Sequence, residues 1–259
     1  MDAVSEKTQR NEHHALLEVE NIGKTFASDS GTTVRALHDV NFRVAEGELL
    51  TIVGATGCGK TTLLNLIAGI EAADTGHVRF ADGRAGGKDV AYVFQHYTLF
   101  PWRTVRRNVT FGLQMRGVPL SQREATALRM LDEVGLQGFE KVYPHELSGG
   151  MRQRAAIAQA LANRPKLLLM DEPFGALDDS TRRDLQQMLI DIWQRERMTI
   201  LFITHNIDEA LVLGSRVLVF SPRPGTVAKE FEVALERPRN RIAKDFTDLF
   251  VRVREALSE

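Results

Sequence analysis

The nine residues GATGCGKTT, Gly54 to Thr62, follow the apolar run ELLTIVG and precede the helix-like TTLLNLIAGI. Such a stretch packs no core; its residue types suit an anion. Gly54, Gly59, Lys60 and Thr61 satisfy G-x-x-x-x-G-K-[ST], in the strand-before, helix-after context that the pattern requires. Polyphosphate oxygens must come close to backbone N–H groups, and glycines at 54, 57 and 59 remove the side chains that would block them. Ala55, Thr56, Cys58 and Thr62 complete the expected contact set. A helix starting near Lys60 would aim its unpaired N–H groups and positive dipole end at the ligand. Lys60 supplies a mobile cation for the β- and γ-phosphates, and Thr61 a hydroxyl for Mg²⁺. The Cys58 thiol reads as a small filler rather than a reactive group.

A phosphate cradle needs an acidic strand end beside it. In LLLMDEPF, four apolar residues drive Asp171 and Glu172 to the end of a strand, where ligands gather in open parallel sheets. Asp171 suits a contact with Mg²⁺, usually through water. Glu172, one residue further out, suits polarising the attacking water. Alone, DEP is a common strand-to-turn ending; the upstream cradle is what lends it a role. Between the two segments lies LSGGMRQR, where Ser148, Gly149 and Gly150 precede a helix and form a second anion-ready N-terminus. By itself this is an ordinary helix cap. One nucleotide site in one chain does not need two such helix ends.

These residues need elements to hold them. LLEVENIGKTF and VRALHDVNFRV read as strand regions joined by a turn at ASDSGTT, residues 27–33. TGHVRFADGRAGG looks like a short hairpin and DVAYVF a buried strand. From about residue 97 to 162 the texture turns helical, through SQREATALRMLDEVGL and GGMRQRAAIAQALANRP, the latter ended by its proline. KLLLMDEP is the near-continuous apolar strand of a parallel sheet, and STRRDLQQMLIDIWQRER is a long helix. MTILFITHN and RVLVFSPRPG add strands. In KDFTDLFVRVREAL, Phe246, Leu249, Phe250 and Val253 form one apolar helical face. The alternation predicts an α/β sheet with a mainly helical insertion.

Composition narrows the function. The chain has 259 residues, 43% of them hydrophobic, with a net charge of -1 and one cysteine. That balance argues against a dedicated nucleic-acid binder, and a lone cysteine allows no internal disulfide. The polar start MDAVSEKTQRNEHH lacks a secretory core, and no apolar run nears the roughly 20 residues that span a bilayer. The expectation is a soluble, cytosolic protein with a solvated tail over residues 1–15.

At LSGG the sequence resembles the nucleotide-binding subunit of ATP-binding-cassette (ABC) transporters, over roughly residues 16–255. The resemblance implies a P-loop NTPase of α/β class. Its parts would be a mainly parallel sheet core, an N-terminal antiparallel β subdomain, a helical subdomain and a C-terminal strand and helix over about 221–258. It implies that LSGG of one subunit closes over the γ-phosphate held by the phosphate loop of its twin, with ATP and Mg²⁺ bound. Phe26 matches the aromatic that stacks on adenine, the alternative being a core phenylalanine at a strand end. Gln95 matches the glutamine that reaches Mg²⁺ and the attacking water. Asp178, in GALD, matches the loop crossing the dimer interface, and His205, in FITHN, the γ-phosphate histidine. The departures are Met151 where many members have glutamine, threonine at 56 and 61 where serine is common, and no long regulatory domain after residue 230.

QHYTLFPWRTVRRNV, LSGGMRQRAAIAQAL, LMDEPFGALD and VFSPRPG resemble subunits that energise uptake of nitrate, taurine and aliphatic sulfonates. The resemblance implies a homodimer at the cytoplasmic face of the inner membrane, bound to integral membrane permease subunits and indirectly to a periplasmic or extracellular solute-binding protein. Tyr97, Phe100 and Trp102 read as a groove for a coupling helix, or as rings packed inside the insertion. Two rival functions are a soluble ABC ATPase acting on DNA or ribosomes and a nucleotide-regulated binder. One cassette with one cysteine disfavours the first. Glu172, Gln95 and His205 together disfavour the second, because a binder needs no water-positioning set.

Overall fold

The computed structural model describes residues 15–27, 31–81, 89–96 and 98–258. Tyr97, most of the expected tail and the second arm of the expected hairpin lie outside them. Six strands make the main sheet, in the order β5-β6-β7-β3-β8-β9. They are β3 (Leu49–Val53), β5 (Val90–Val93), β6 (Leu167–Asp171), β7 (Thr199–Thr204), β8 (Arg216–Phe220) and β9 (Val227–Glu232). All neighbours run parallel except β8 and β9. A second, antiparallel sheet has the order β2-β1-β4, built from β1 (Ala15–Ala27), β2 (Thr33–Ala45) and β4 (Thr75–Phe80). β1 thus begins at Ala15, inside the segment expected to be tail.

Strand alternation assigns the two faces of the main sheet. Leu168, Met170, Ile200 and Phe202 enter one apolar cluster, which also takes up helices α5 (Gly149–Leu161), α6 (Asp179–Glu196), α7 (Ile207–Leu213) and α8 (Lys244–Ala256). Leu167, Leu169, Leu201 and Ile203 enter the other, with α1 (Lys60–Ala68) and the inner faces of β1 and β2. Every residue of β3, β6 and β7 is therefore buried, which is why those segments read as continuous apolar runs. In α8, Phe246, Leu249 and Val253 are buried and Phe250 packs against the same cluster.

Two expectations need correction. DVAYVF is not a fully buried strand: only Val93 of β5 is buried, because β5 is the edge strand of its sheet. The helix in GGMRQRAAIAQALANRP stops at Leu161 with Ala162 as its cap, so proline does not itself end it. Asn163 and Arg164 intervene, and Arg164 takes positive φ.

Between β5 and β6 come α2 (Val105–Val109), α3 (Phe111–Met115), α4 (Leu120–Glu133) and α5. α2 and α4 both pack on α5. The fully buried Asn108 organises the segment before α2. It accepts from Phe100 N at 2.7 Å and donates to Phe100 O, Arg103 O and Thr104 O at 3.0–3.2 Å. Phe100 packs edge-on against Phe111, whereas Trp102 remains 71% exposed. Phe100 thus packs within the insertion, and Trp102 lies at its surface.

Candidate active site

Sheet register gathers the site. Val53 pairs with Thr204, and Asp171 with Ile203, so Gly54, Glu172 and His205 all emerge at the carboxyl edge of adjacent parallel strands. This is where an open α/β sheet leaves room for a ligand. Residues distant in sequence become neighbours because the crossovers return each strand in the same direction.

The cradle turns tightly from β3 into α1. Gly59 has φ 111°, and a Cβ there would lie 2.7 Å from Ala36 O, so both conformation and space demand glycine. α1 begins without a side-chain cap, leaving first-turn N–H groups for an anion. Ala55, Thr56 and Gly57 form an exposed rim, while Cys58 is buried, in keeping with a filler thiol. The buried Lys60 ammonium donates to Gly54 O at 2.8 Å and Ala55 O at 3.0 Å, and lies 3.5 Å from Glu172 Oε1. Thr62 sits half-buried in the first turn of α1.

Thr61 Oγ1 donates to Asp171 Oδ1 at 3.2 Å, and the Tyr92 hydroxyl donates to Oδ2 at the same distance. Burial raises the Asp171 carboxyl above the ordinary carboxylate value, and these two hydrogen bonds oppose that shift. Tyr92 is raised as well, first by burial and then by the Asp171 charge. A buried carboxylate beside a hydroxyl is a hard-oxygen pair that fits Mg²⁺, an ion that keeps several waters and substrate phosphates in its shell. Gln95, exposed just past β5, makes no hydrogen bond among the described residues.

Glu172 has φ 42°, a left-handed conformation uncommon for a side-chain-bearing residue. Its amide donates to Ile203 O, and its Oε2 lies 2.6 Å from His205 Nδ1. A network that sequence reasoning missed stands behind His205. Buried Glu209 accepts from Thr204 Oγ1 at 2.6 Å and from Gln186 Nε2 at 3.1 Å, and Arg241 donates to Gln186 Oε1. Tyr92 was likewise missed; its one signal was a hydroxyl in an apolar strand.

Ser148, Gly149, Gly150 and Asp178 form a separate patch. Ser148 caps α5, its Oγ accepting from Met151 N at 3.3 Å. Asp178 caps α6, accepting from Thr181 N at 3.0 Å and from the Ser180 hydroxyl. These hydrogen bonds hold its carboxyl well below the usual range. Gly150 lies against Thr181, whose Cγ2 would be 2.4 Å from a Cβ. Among the described residues, no hydrogen bond or ion pair links this patch to the cradle. Phe26, the penultimate residue of β1, is 39% exposed with the Lys24 ammonium 5.3 Å from its ring centre; it is no core residue.

Comparison with known proteins identifies the family. The profile of the ABC transporter family matches residues 37–175. The chain is 48% identical over 235 residues to the nitrate import ATP-binding protein NrtD of a Synechocystis strain, covering 88% of each chain. It is 48% identical over 225 residues to the taurine import ATP-binding protein TauB of Rhizobium johnstonii, covering 86% of each. A dimeric ATP-binding cassette solved in a post-hydrolysis state with ADP and Pi superposes with a TM-score of 0.75 at 31% identity, covering 84% of this chain and 98% of that one. The chain belongs to the ABC transporter family, as an ATPase coupled to transport.

Proposed function

We propose that this chain is the ATP-hydrolysing subunit of an importer for a small oxyanion such as nitrate, taurine or an aliphatic sulfonate. Two copies would close head to tail around two ATP molecules. One observation carries the reading: the chain holds two glycine-rich helix starts, and only the first is joined to the acidic strand end. A shared site gives the second a use.

In this reading Gly54 to Thr62 hold the phosphates. Phe26 stacks on the base, and Ser148 to Gly150, with Asp178, act on the nucleotide of the partner copy. Thr61, Asp171 and Gln95 would hold Mg²⁺, which supplies charge neutralisation at the phosphates when bound. Glu172 polarises the attacking water, and His205 orients the Glu172 carboxylate through its 2.6 Å contact. Lys60 stabilises charge on the β- and γ-phosphate oxygens. The ABC ATPase domain is assigned from Ala15, where β1 begins, with the insertion at about 97–162. Exposed Trp102 borders a groove of about 550 Å³ with Arg103, Arg106 and Leu120. That groove suits a short helix of a membrane permease. Among the described residues no helix is long and apolar enough to cross a membrane, so peripheral attachment at the cytoplasmic face would rest on that contact.

Complementation tests the shared site. Lys60→Ala and Ser148→Arg subunits should each be inactive as homodimers in complex with the permease. Mixed, they should regain ATP hydrolysis, because the heterodimer contains one site free of both changes. No gain on mixing, with heterodimers demonstrated, would mean that each chain works alone.

A further inference from the structure

The turn Ser221–Gly225, between β8 and β9, is built into the back of the cradle. Gly225 N donates to Ala36 O at 2.9 Å, and His38 N donates to Gly225 O at 3.0 Å. A Cβ on Gly225 would lie 2.1 Å from Cys58 O, so turn and cradle touch backbone to backbone. Ser221 closes the turn from inside, exchanging hydrogen bonds with Thr226. Arg223 stands between Pro222 and Pro224, whose rings restrict its backbone and aim its side chain. Its guanidinium donates from Nε and Nη2 to Gly57 O at 3.1 and 2.8 Å. It makes no ion pair among the described residues.

We propose that Arg223 is a positioning residue of the nucleotide site, pinning the Gly57–Cys58 peptide so that its N–H faces the inside of the cradle. Gly57 and Gly59 both have positive φ, and the peptide planes between such residues rotate cheaply. One orientation offers an N–H to the ligand; the reverse offers a carbonyl oxygen, which repels a phosphate. In a trans peptide, C=O and N–H point in opposite directions. A charged fork holding Gly57 O from outside therefore turns the Cys58 N–H inward. There its acceptor is Ala55 O at 3.3 Å, a long contact that a phosphate oxygen can replace. The same charge polarises the peptide and strengthens its N–H as a donor. Arg223 need not touch the nucleotide to do this. The inference rests on the cradle being the nucleotide site.

Titration calorimetry of ATP and ADP into the full-length protein tests it, comparing wild type, Arg223→Ala and Arg223→Lys. Arg223→Ala should weaken ATP and ADP alike, by about five- to tenfold, the upper part of the range for an ordinary net hydrogen bond. Arg223→Lys should recover part of the loss, because an ammonium can make one of the two bonds. In the permease complex the KM for ATP should rise by a similar factor, with kcat falling by less than about twofold. Arg223 is exposed, so thermal unfolding of both variants should match wild type. Unchanged affinity for both nucleotides in Arg223→Ala overturns the proposal. So does a loss confined to ATP, which would make Arg223 a direct γ-phosphate contact. A wild-type protein that binds neither nucleotide overturns the underlying reading of the cradle as well, and so is told apart from failure of Arg223 alone.

Discussion

Two helix starts in this chain resemble each other in sequence and differ in how the fold treats them. α1 begins after Gly59 without a side-chain cap, its first residues tied to Asp171 and Glu172 at the end of β6. α5 begins after Ser148, which caps it, and its tip rests on Thr181 with Asp178 close by. At the first tip, cations, carboxylates and hydroxyls converge within one chain. At the second, the nearby Asp178 carboxylate is spent on capping α6. A glycine-rich helix start is thus half of a device; what it does depends on which strand end the fold brings to it.

The largest expected effect probes the wired tip. Glu172→Gln should keep ATP binding and lower kcat by at least about 100-fold, the usual contribution of a positioned acid–base group. Size exclusion with ATP should then show an accumulated dimer. Hydrolysis near the wild-type rate would remove Glu172 from its role and leave His205 without a partner of consequence.

Ser148→Arg addresses the other tip. ATP affinity of the isolated subunit should change by less than about twofold, a shift under about 0.5 kcal/mol. The ATP-driven dimer should be lost, because a guanidinium would stand where a bare helix start must close on phosphate. A large loss of affinity in the monomer would mean that both tips serve the same chain's nucleotide, and the contrast between them would disappear.

A subtler effect lies behind His205. Burial is the main influence on Glu209 and raises its carboxyl above the ordinary value; hydrogen bonds from Thr204 and Gln186, then Arg182 and His205, pull the other way. The folded state therefore holds this proton more tightly than the unfolded chain. The associated stability is complete below the unfolded carboxylate value and is lost as pH rises through the raised folded one. Glu209→Gln removes the titration. As pH rises above the ordinary carboxylate value, thermal unfolding of the variant should improve relative to wild type. A constant difference across that rise would show that Glu209 does not titrate with folding.

Trp102→Ala should be the mildest change to the fold. The ring is 71% exposed, so stability should move by less than about 0.5 kcal/mol. Co-purification with the permease should nevertheless fall. Retained co-purification would move the docking surface elsewhere on the insertion.

Much of the candidate site was legible in the sequence, because its parts are contiguous. Gly54 to Thr61 is a strand end, a turn and a helix start in one short run, and Asp171 and Glu172 follow directly from the apolar strand that buries them. Such local patterns need no knowledge of distant neighbours. The burial of β6 on both faces was legible for the same reason.

What the residues did not announce is who stands beside whom. The Tyr92 hydroxyl on Asp171, the Gln186–Glu209–Thr204 support behind His205 and the Arg223 fork on Gly57 O each join residues from different elements. Strand order, helix packing and the placement of turns make those contacts. Parallel strands return through long crossovers, so proximity along the chain carries no information about proximity in the sheet. The amino-acid order by itself determined the chemistry available to this protein. Only the tertiary structure decided which groups hold one another in place, because a hydrogen bond depends on geometry that no single segment contains.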